Sequence, residues 1–95
     1  MNTPPTIQHA AFDLGRVLLT RGIDALRLSK YDLIQLLRRH AWCQWQLDAD
    51  DITANMEAIR KGYRVFGSLV FDGITIWVIT EADRASTTLL LPDEY

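Results

Sequence analysis

The amino-acid sequence predicts a small α+β domain in which helices pack on one face of an antiparallel sheet. The chain has 95 residues, 48% hydrophobic and 23% charged, which is typical of one soluble globular domain. Apolar side chains recur with helical spacing over residues 30–61, and strand-like runs separated by short turns occupy residues 63–91. The predicted element order is therefore β-α-α-α-β-β-β.

The first part of the chain is predicted to hold an arm, a strand and a short helix. Residues 1–10 include two prolines and no periodic pattern, so we expect a flexible N-terminal arm before a single domain over residues 11–95. Residues 12–19 are predicted to form a short strand. Thr20 then follows as the expected N-cap of a short helix that ends at Leu26.

Two amphipathic helices are predicted next, each with its own capping residue. Ser29 is the expected N-cap of the helix over residues 30–41. Asp48 is the expected N-cap of the following helix, which Gly62 ends in a left-handed conformation. In that helix Glu57 and Lys61 have the spacing of an i,i+4 ion pair. The side chains expected to be buried are Leu33, Ile34, Leu36, Leu37 and Ala41 in the first helix, and Ile52, Met56 and Ile59 in the second.

The last third of the chain is predicted to form an antiparallel meander. Residues 63–71 and 74–80 are strand-like, and Asp72-Gly73 between them is typical of a tight type I′ turn. Residues 74–80 are apolar on both faces, which favours a central position in the sheet. Pro92 stops the last strand, residues 86–91, whose exposed edge can pair with a second copy. A homodimer is therefore one expectation.

Composition excludes several classes of protein. No apolar run approaches the ~20 residues of a membrane-spanning helix, and no basic segment followed by an apolar stretch marks a secretory signal. The single cysteine, Cys43, cannot form an internal disulfide, which fits a reducing compartment. We therefore expect a cytoplasmic protein that makes no membrane contact.

The pattern of polar side chains predicts no metal site, cofactor site or catalytic site. His40 and Cys43 lie three residues apart, but two ligands do not make a metal site, and no Asn or Asp is placed to orient the histidine. We interpret the pair as a surface histidine beside a half-buried thiol. A small enzyme that uses this pair, or Glu81 with Asp83, is kept as an alternative.

Charge is unevenly distributed along the chain. Residues 1–41 carry six basic and three acidic side chains, whereas residues 42–95 carry four basic and nine acidic ones. This asymmetry either orients a partner or simply solvates each half of the surface. Three groups are candidates for binding a partner. They are the acidic set Asp48, Asp50, Asp51 and Glu57; the basic and aromatic set Arg38, Arg39, Trp42 and Trp45; and the loop set Glu81, Asp83 and Arg84.

The chain ends in a distinctive run, IWVITEADRASTTLLLPDEY, from Ile76 to Tyr95. Other notable features are Gly15-Arg16-Val17 ahead of the helix capped by Thr20, Trp45-Gln46-Leu47-Asp48 ahead of Asp51 and Asn55, and the strand over residues 63–71. In these features the sequence resembles, over residues 12–95, a family of small plasmid-related proteins carried by bacterial integrative and conjugative elements. The family pattern Gly-Asp-Trp-Gly-Asp-Leu is replaced here by AWCQWQL at residues 41–47, so a site in that loop does not carry over.

The resemblance implies an accessory role in a mobile genetic element and no established activity. Some relatives carry restriction-modification labels, but 95 residues cannot hold a methyltransferase or restriction domain. The leading hypothesis is a non-enzymatic protein that covers a surface of a host protein complex, such as a restriction or CRISPR defence complex, with the acidic set facing a basic nucleic-acid channel. The alternative is a nucleic-acid-associated accessory or regulatory protein that uses the basic and aromatic set.

Overall fold

A computed structural model describes residues 10–95, and within them the predicted α+β class and element order are confirmed. The expected N-terminal arm, apart from Ala10, lies outside the described residues. The elements are β1 (Arg16–Leu19), α1 (Arg21–Ala25), α2 (Lys30–Ala41), α3 (Ala49–Lys61), β2 (Val65–Phe71), β3 (Ile74–Thr80) and β4 (Ser86–Leu90), followed by a 3-10 turn (Pro92–Glu94).

The four strands form one sheet in the order β1-β4-β3-β2. Strands β2, β3 and β4 make the predicted antiparallel meander, and β3 lies inside the sheet as expected. Strand β1 joins the meander in parallel to β4, so the sheet is mixed rather than wholly antiparallel. The expectation of an exposed edge at the last strand is therefore wrong, because β1 and β3 flank β4 on its two sides.

Local capping signals explain where the helices begin and end. The side chains of Ser29 and Asp48 accept hydrogen bonds from backbone amides three residues later, at 3.0 Å and 2.8 Å. Each satisfies an amide that has no partner within its helix. Gly62 ends α3 in the left-handed region with φ 78°. In the β2–β3 turn, Asp72 and Gly73 both have positive φ, as a type I′ turn requires.

The two faces of the sheet differ. The inner face carries the side chains of Val65 and Leu69 from β2, with Gly67 between them, and those of their neighbours on β3 and β4. It packs against α1 and α2. The opposite face, which we call the outer face, carries Phe66, Ser68 and Val70 of β2 and their neighbours. The main buried core comprises Ile23, Leu36, Val65, Leu69, Ile76, Val78 and Leu89.

Two side chains that were expected to be buried are exposed instead. Ile34 of α2 is 45% exposed and Met56 of α3 is 48% exposed. Helix α3 turns Asn55 and Ala58 inward because it lies along the free edge of β2. There the amide of Asn55 donates to the carbonyl of Phe66 at 2.8 Å and accepts from its N–H at 3.0 Å. This bidentate pairing fixes the rotation of α3 about its axis and leaves Met56 facing outward.

Within residues 10–95, none of the helices combines the length and apolar character needed to cross a membrane.

Candidate protein-binding cleft

A chain of buried polar side chains crosses the inner face and begins at His40. The prediction of a surface histidine is wrong, since His40 is fully buried at the end of α2. The indole Nε1 of Trp45 donates to His40 Nδ1 at 2.9 Å, and His40 Nε2 lies 3.0 Å from the Thr80 hydroxyl. Thr80 contacts the hydroxyl of Thr87 at 2.7 Å, and Thr87 donates to the carbonyl of Leu14 at 2.7 Å.

The direction of every bond in this chain is fixed by its two ends. An indole N–H only donates and a carbonyl oxygen only accepts. His40 therefore holds its proton on Nε2 and donates it to Thr80, which donates in turn to Thr87. Burial lowers the pKa of His40 to about 4, so the ring is neutral at pH 7. Each polar group in this row of hydrogen bonds has a partner within the protein, and the row links α2 to β3, β4 and the segment before β1.

His40 offers no free ring nitrogen to Cys43. Both ring nitrogens of His40 already have partners in Trp45 and Thr80, so neither is free to take a proton from the thiol. Burial also raises the pKa of the Cys43 thiol, which disfavours the reactive thiolate. Among the residues that the structure describes, no group of three or more His, Cys, Asp or Glu side chains is placed to hold a metal ion.

The basic and aromatic set of the sequence analysis is divided between the surface and the interior. The Arg38 guanidinium lies over the ring of Trp42, 5.2 Å from its centroid, at the surface. Arg39 instead donates to the Val70 carbonyl at 3.4 Å and to Gln46 Oε1 at 3.1 Å. Trp45 is buried, with its N–H on His40. The structure therefore leaves the exposed Arg38 and the half-buried Trp42 together at the surface.

The loop set Glu81, Asp83 and Arg84 is engaged in contacts within the fold. The Arg84 guanidinium donates to the carbonyls of Tyr63, at 2.7 Å, and Ala58, at 3.2 Å, at the end of α3. Asp83 accepts from the Ala85 amide at 2.9 Å. Glu81 forms an ion pair with Arg64 at 3.3 Å. The polar groups of these three side chains therefore already have partners within the loop and near the end of α3.

An aromatic cluster occupies part of the outer face. The rings of Phe66, Trp77 and Tyr95 meet edge to face, with centroids 5.0 to 5.7 Å apart. Phe66 and Trp77 are half-buried, and Tyr95 is 70% exposed. Within residues 10–95, no helix covers this cluster in the way that α2 covers the inner face, so aromatic surface stays in contact with water.

A cleft of about 290 Å³ opens between this cluster and the first half of α3. Phe66, Trp77 and Leu47 form its apolar walls, and Asp51 and Ser68 add polar groups. The full lining comprises Leu47, Asp51, Ala54, Asn55, Phe66, Ser68 and Trp77. Aromatic walls beside a carboxylate fit an apolar or basic side chain of another protein better than they fit an acidic one.

The acidic set of the sequence analysis also divides in two. Asp48, Asp50 and Asp51 are exposed at the start of α3, where they form no ion pair within residues 10–95. Asp51 extends this group into the cleft. Glu57 instead pairs with Lys61, as predicted, and with Arg60. Hydrogen bonds from Lys61 and then Arg60 lower the pKa of Glu57, and its charge is neutralised locally.

The aromatic half of the cleft was not among the candidates from the sequence. Phe66 and Ser68 alternate with the buried Val65, Gly67 and Leu69, so strand periodicity does place them on the outer face. What the sequence did not indicate is that Phe66 and Trp77 stay partly exposed on this face, although Ile79 and Leu90 beside them are buried. Neither protein-family models nor curated proteins and solved structures give a significant match to the chain.

Proposed function

We propose that the chain is a non-enzymatic protein-binding accessory protein of a mobile genetic element, acting in the bacterial cytoplasm to inhibit or modulate a host defence complex of the restriction or CRISPR type. The observation that carries the proposal is the cleft on the outer face. It joins half-buried aromatic rings, Phe66 and Trp77, to the exposed aspartates at the start of α3.

Aromatic side chains that are partly exposed and bordered by polar groups are the usual centre of a protein–protein interface. Trp77 supplies a large, rigid contact area, and Phe66 and Tyr95 hold its ring in place from two sides. Ring orientation is thus set before a partner arrives, which lowers the entropy cost of binding.

The charge beside the cleft favours a basic partner. Asp48, Asp50 and Asp51 concentrate negative charge within one turn of α3, with no basic side chain paired to them in the described part of the chain. A complementary positive surface gains in association rate and in specificity from such a group. Proteins that bind nucleic acid carry positive surfaces of this kind, so this protein would compete with DNA or RNA for the partner's basic channel.

The mobile-element part of the proposal is supported by the sequence resemblance. The C-terminal run that carries most of that resemblance also supplies Trp77 and Tyr95, two of the three rings of the aromatic cluster.

A second candidate function rests on one observation at another place. Arg38 lies over Trp42 at the surface, and such a pair can stack on a base and contact phosphate. A nucleic-acid-associated accessory or regulatory role would follow. Its signature is binding to DNA or RNA at low salt that weakens steeply as salt rises.

The test is capture of partners from bacterial lysate by the tagged protein, with and without nuclease, read by mass spectrometry. The proposal expects a stoichiometric protein partner that survives nuclease treatment. Partners that vanish with nuclease would favour the second candidate instead.

A charge-matched pair of variants then tests the surface. Asp48→Asn, Asp50→Asn and Asp51→Asn together should weaken the captured complex at least roughly tenfold. The control, Asp13→Asn, Asp24→Asn and Asp32→Asn together, changes net charge equally at residues outside the cleft and should bind normally. Equal affinities of the two triple variants would overturn the proposed surface. Glu57→Gln should have little effect because Glu57 is already paired.

A further inference from the structure

The two edges of the sheet are treated differently by the fold. Along the edge of β2 that does not pair with β3, the side chain of Asn55 pairs with both backbone groups of Phe66. The backbone N–H of Gln46 donates to the Ser68 carbonyl at 2.8 Å, and the side-chain oxygen of Gln46 accepts from the Val70 N–H. Arg39 donates to the Val70 carbonyl. This edge is therefore closed to a further strand.

The edge at β1 has no such cover among residues 10–95. The amides of Arg16 and Thr20 donate to Ala85 and Leu89 beside β4, at 2.9 and 3.2 Å. Backbone groups of successive residues alternate in direction along a strand, so those of Val17 and Leu19 point away from β4. No described strand lies on that side, and residues 17 to 19 are all apolar and 40 to 43% exposed.

We propose that two copies of the chain pair through β1, antiparallel and about a two-fold axis at Leu18. In this register Val17 of each copy lies opposite Leu19 of the other, and the outward backbone groups of both residues meet in hydrogen-bonded pairs. Four hydrogen bonds then join two four-stranded sheets into one of eight strands. This dimer goes beyond the proposed function, since β1 and the cleft beside β2 lie at opposite edges of the sheet.

A second copy fits this edge because the edge is complementary to itself. The apolar side chains of residues 17 to 19 face the same apolar segment, and Leu18 of each copy meets Leu18 of the other. Arg16, the only charged residue of β1, lies opposite Thr20 rather than opposite another arginine. An isologous interface of this kind closes on two copies and leaves no free edge there for further growth.

The test compares one substitution on each edge strand. Sedimentation across a wide concentration range should show a reversible dimer of the wild-type chain. Val17→Lys should weaken this self-association at least roughly tenfold, since the residue occurs twice in the interface. Val70→Lys, at an equally exposed position on the closed edge, should dimerise like wild type. A wild-type chain that stays monomeric at millimolar concentration, or a Val17→Lys chain that dimerises normally, overturns the proposal.

Amide hydrogen exchange on the wild-type chain gives a test that needs no variant. The amides of Val17 and Leu19 should be protected at high concentration and exchange freely on dilution, whereas those of Arg16 and Thr20 should stay protected throughout. Fast exchange at Val17 and Leu19 in the dimer would place the interface elsewhere. Protection that does not depend on concentration would mean that no second copy covers the edge.

Discussion

The inner and outer faces of the sheet contain similar kinds of residue in opposite situations. On the inner face, Trp45 is buried and its N–H is committed to His40, within a chain of hydrogen bonds that leaves no polar group without a partner. On the outer face, Trp77 is half-buried between Phe66 and Tyr95, beside aspartates that have no basic partner in the described part of the chain. Satisfied polar groups thus mark the part of this fold that confers stability, and incompletely covered aromatic and acidic groups mark the surface proposed to bind a partner.

The largest expected effect is on the inner face, at Gly67. A methyl group at this position would lie 2.5 Å from both His40 Nδ1 and Trp45 Nε1, so the pair would have to separate. We expect Gly67→Ala to lower the free energy of unfolding by about 3 kcal/mol, measured by urea denaturation. Ser68→Ala, the next residue on the same strand but on the outer face, is the control and should change it by less than about 0.5 kcal/mol. Equal effects at the two positions would contradict the comparison of the faces.

The second prediction is that the stability of the protein depends on pH through the buried ring of His40. The pKa of His40 is about 4 in the folded protein, below its ordinary value of 6.5, because burial disfavours the imidazolium. The unfolded chain therefore binds the proton more readily, so stability is complete above pH 6.5 and falls as the pH drops towards 4. Between pH 7.5 and 5 we expect a loss of about 2 kcal/mol.

This range of pH lies above the titration of ordinary carboxylates, so the loss can be assigned to histidine. Urea midpoints at half-unit steps of pH, together with an NMR titration of the His40 ring, measure both sides of the linkage. A His40 resonance that titrates near its ordinary pKa, or a flat stability profile, would show that the ring is not held neutral by the fold.

The third and smallest prediction compares the two tryptophans directly. Trp45→Phe removes the donor to His40 Nδ1 and should cost about 1 to 2 kcal/mol of unfolding free energy. Trp77→Phe keeps an aromatic ring on the outer face and should cost less than about 0.5 kcal/mol. Thermal or urea unfolding of the two variants in parallel is sufficient. If Trp77→Phe were the more damaging change, the outer face would be a structural core rather than a binding surface.

Short-range signals predicted much of this fold from the sequence. Ser29, Asp48 and Gly62 act on backbone groups a few residues away, so residue type and spacing were enough to place the helix ends. The turn at Asp72-Gly73 was predicted for the same reason. These features need no knowledge of the rest of the chain.

The errors at His40, at Met56 and in the cleft depend on contacts between distant segments. His40 can be buried because Thr80, forty residues later, accepts a hydrogen bond from its Nε2–H. Met56 faces outward because Asn55 binds the edge of β2. The cleft was half predicted, since Asp51 was a candidate but Trp77 was interpreted only as a strand residue. No local pattern indicates which strand lies beside which helix, or which side chains on a sheet face stay partly exposed.

The most direct test of the proposed binding face is partner capture by two tryptophan variants. Trp77→Ala removes the centre of the cleft, and Trp42→Ala removes the half-buried aromatic ring of the competing Arg38–Trp42 pair. Both proteins are first confirmed to be folded, and capture from nuclease-treated bacterial lysate is then quantified against wild type. We predict that Trp77→Ala loses the stoichiometric partner and that Trp42→Ala keeps it. The reverse result, or equal capture by all three proteins, would contradict a role for the outer-face cleft in binding.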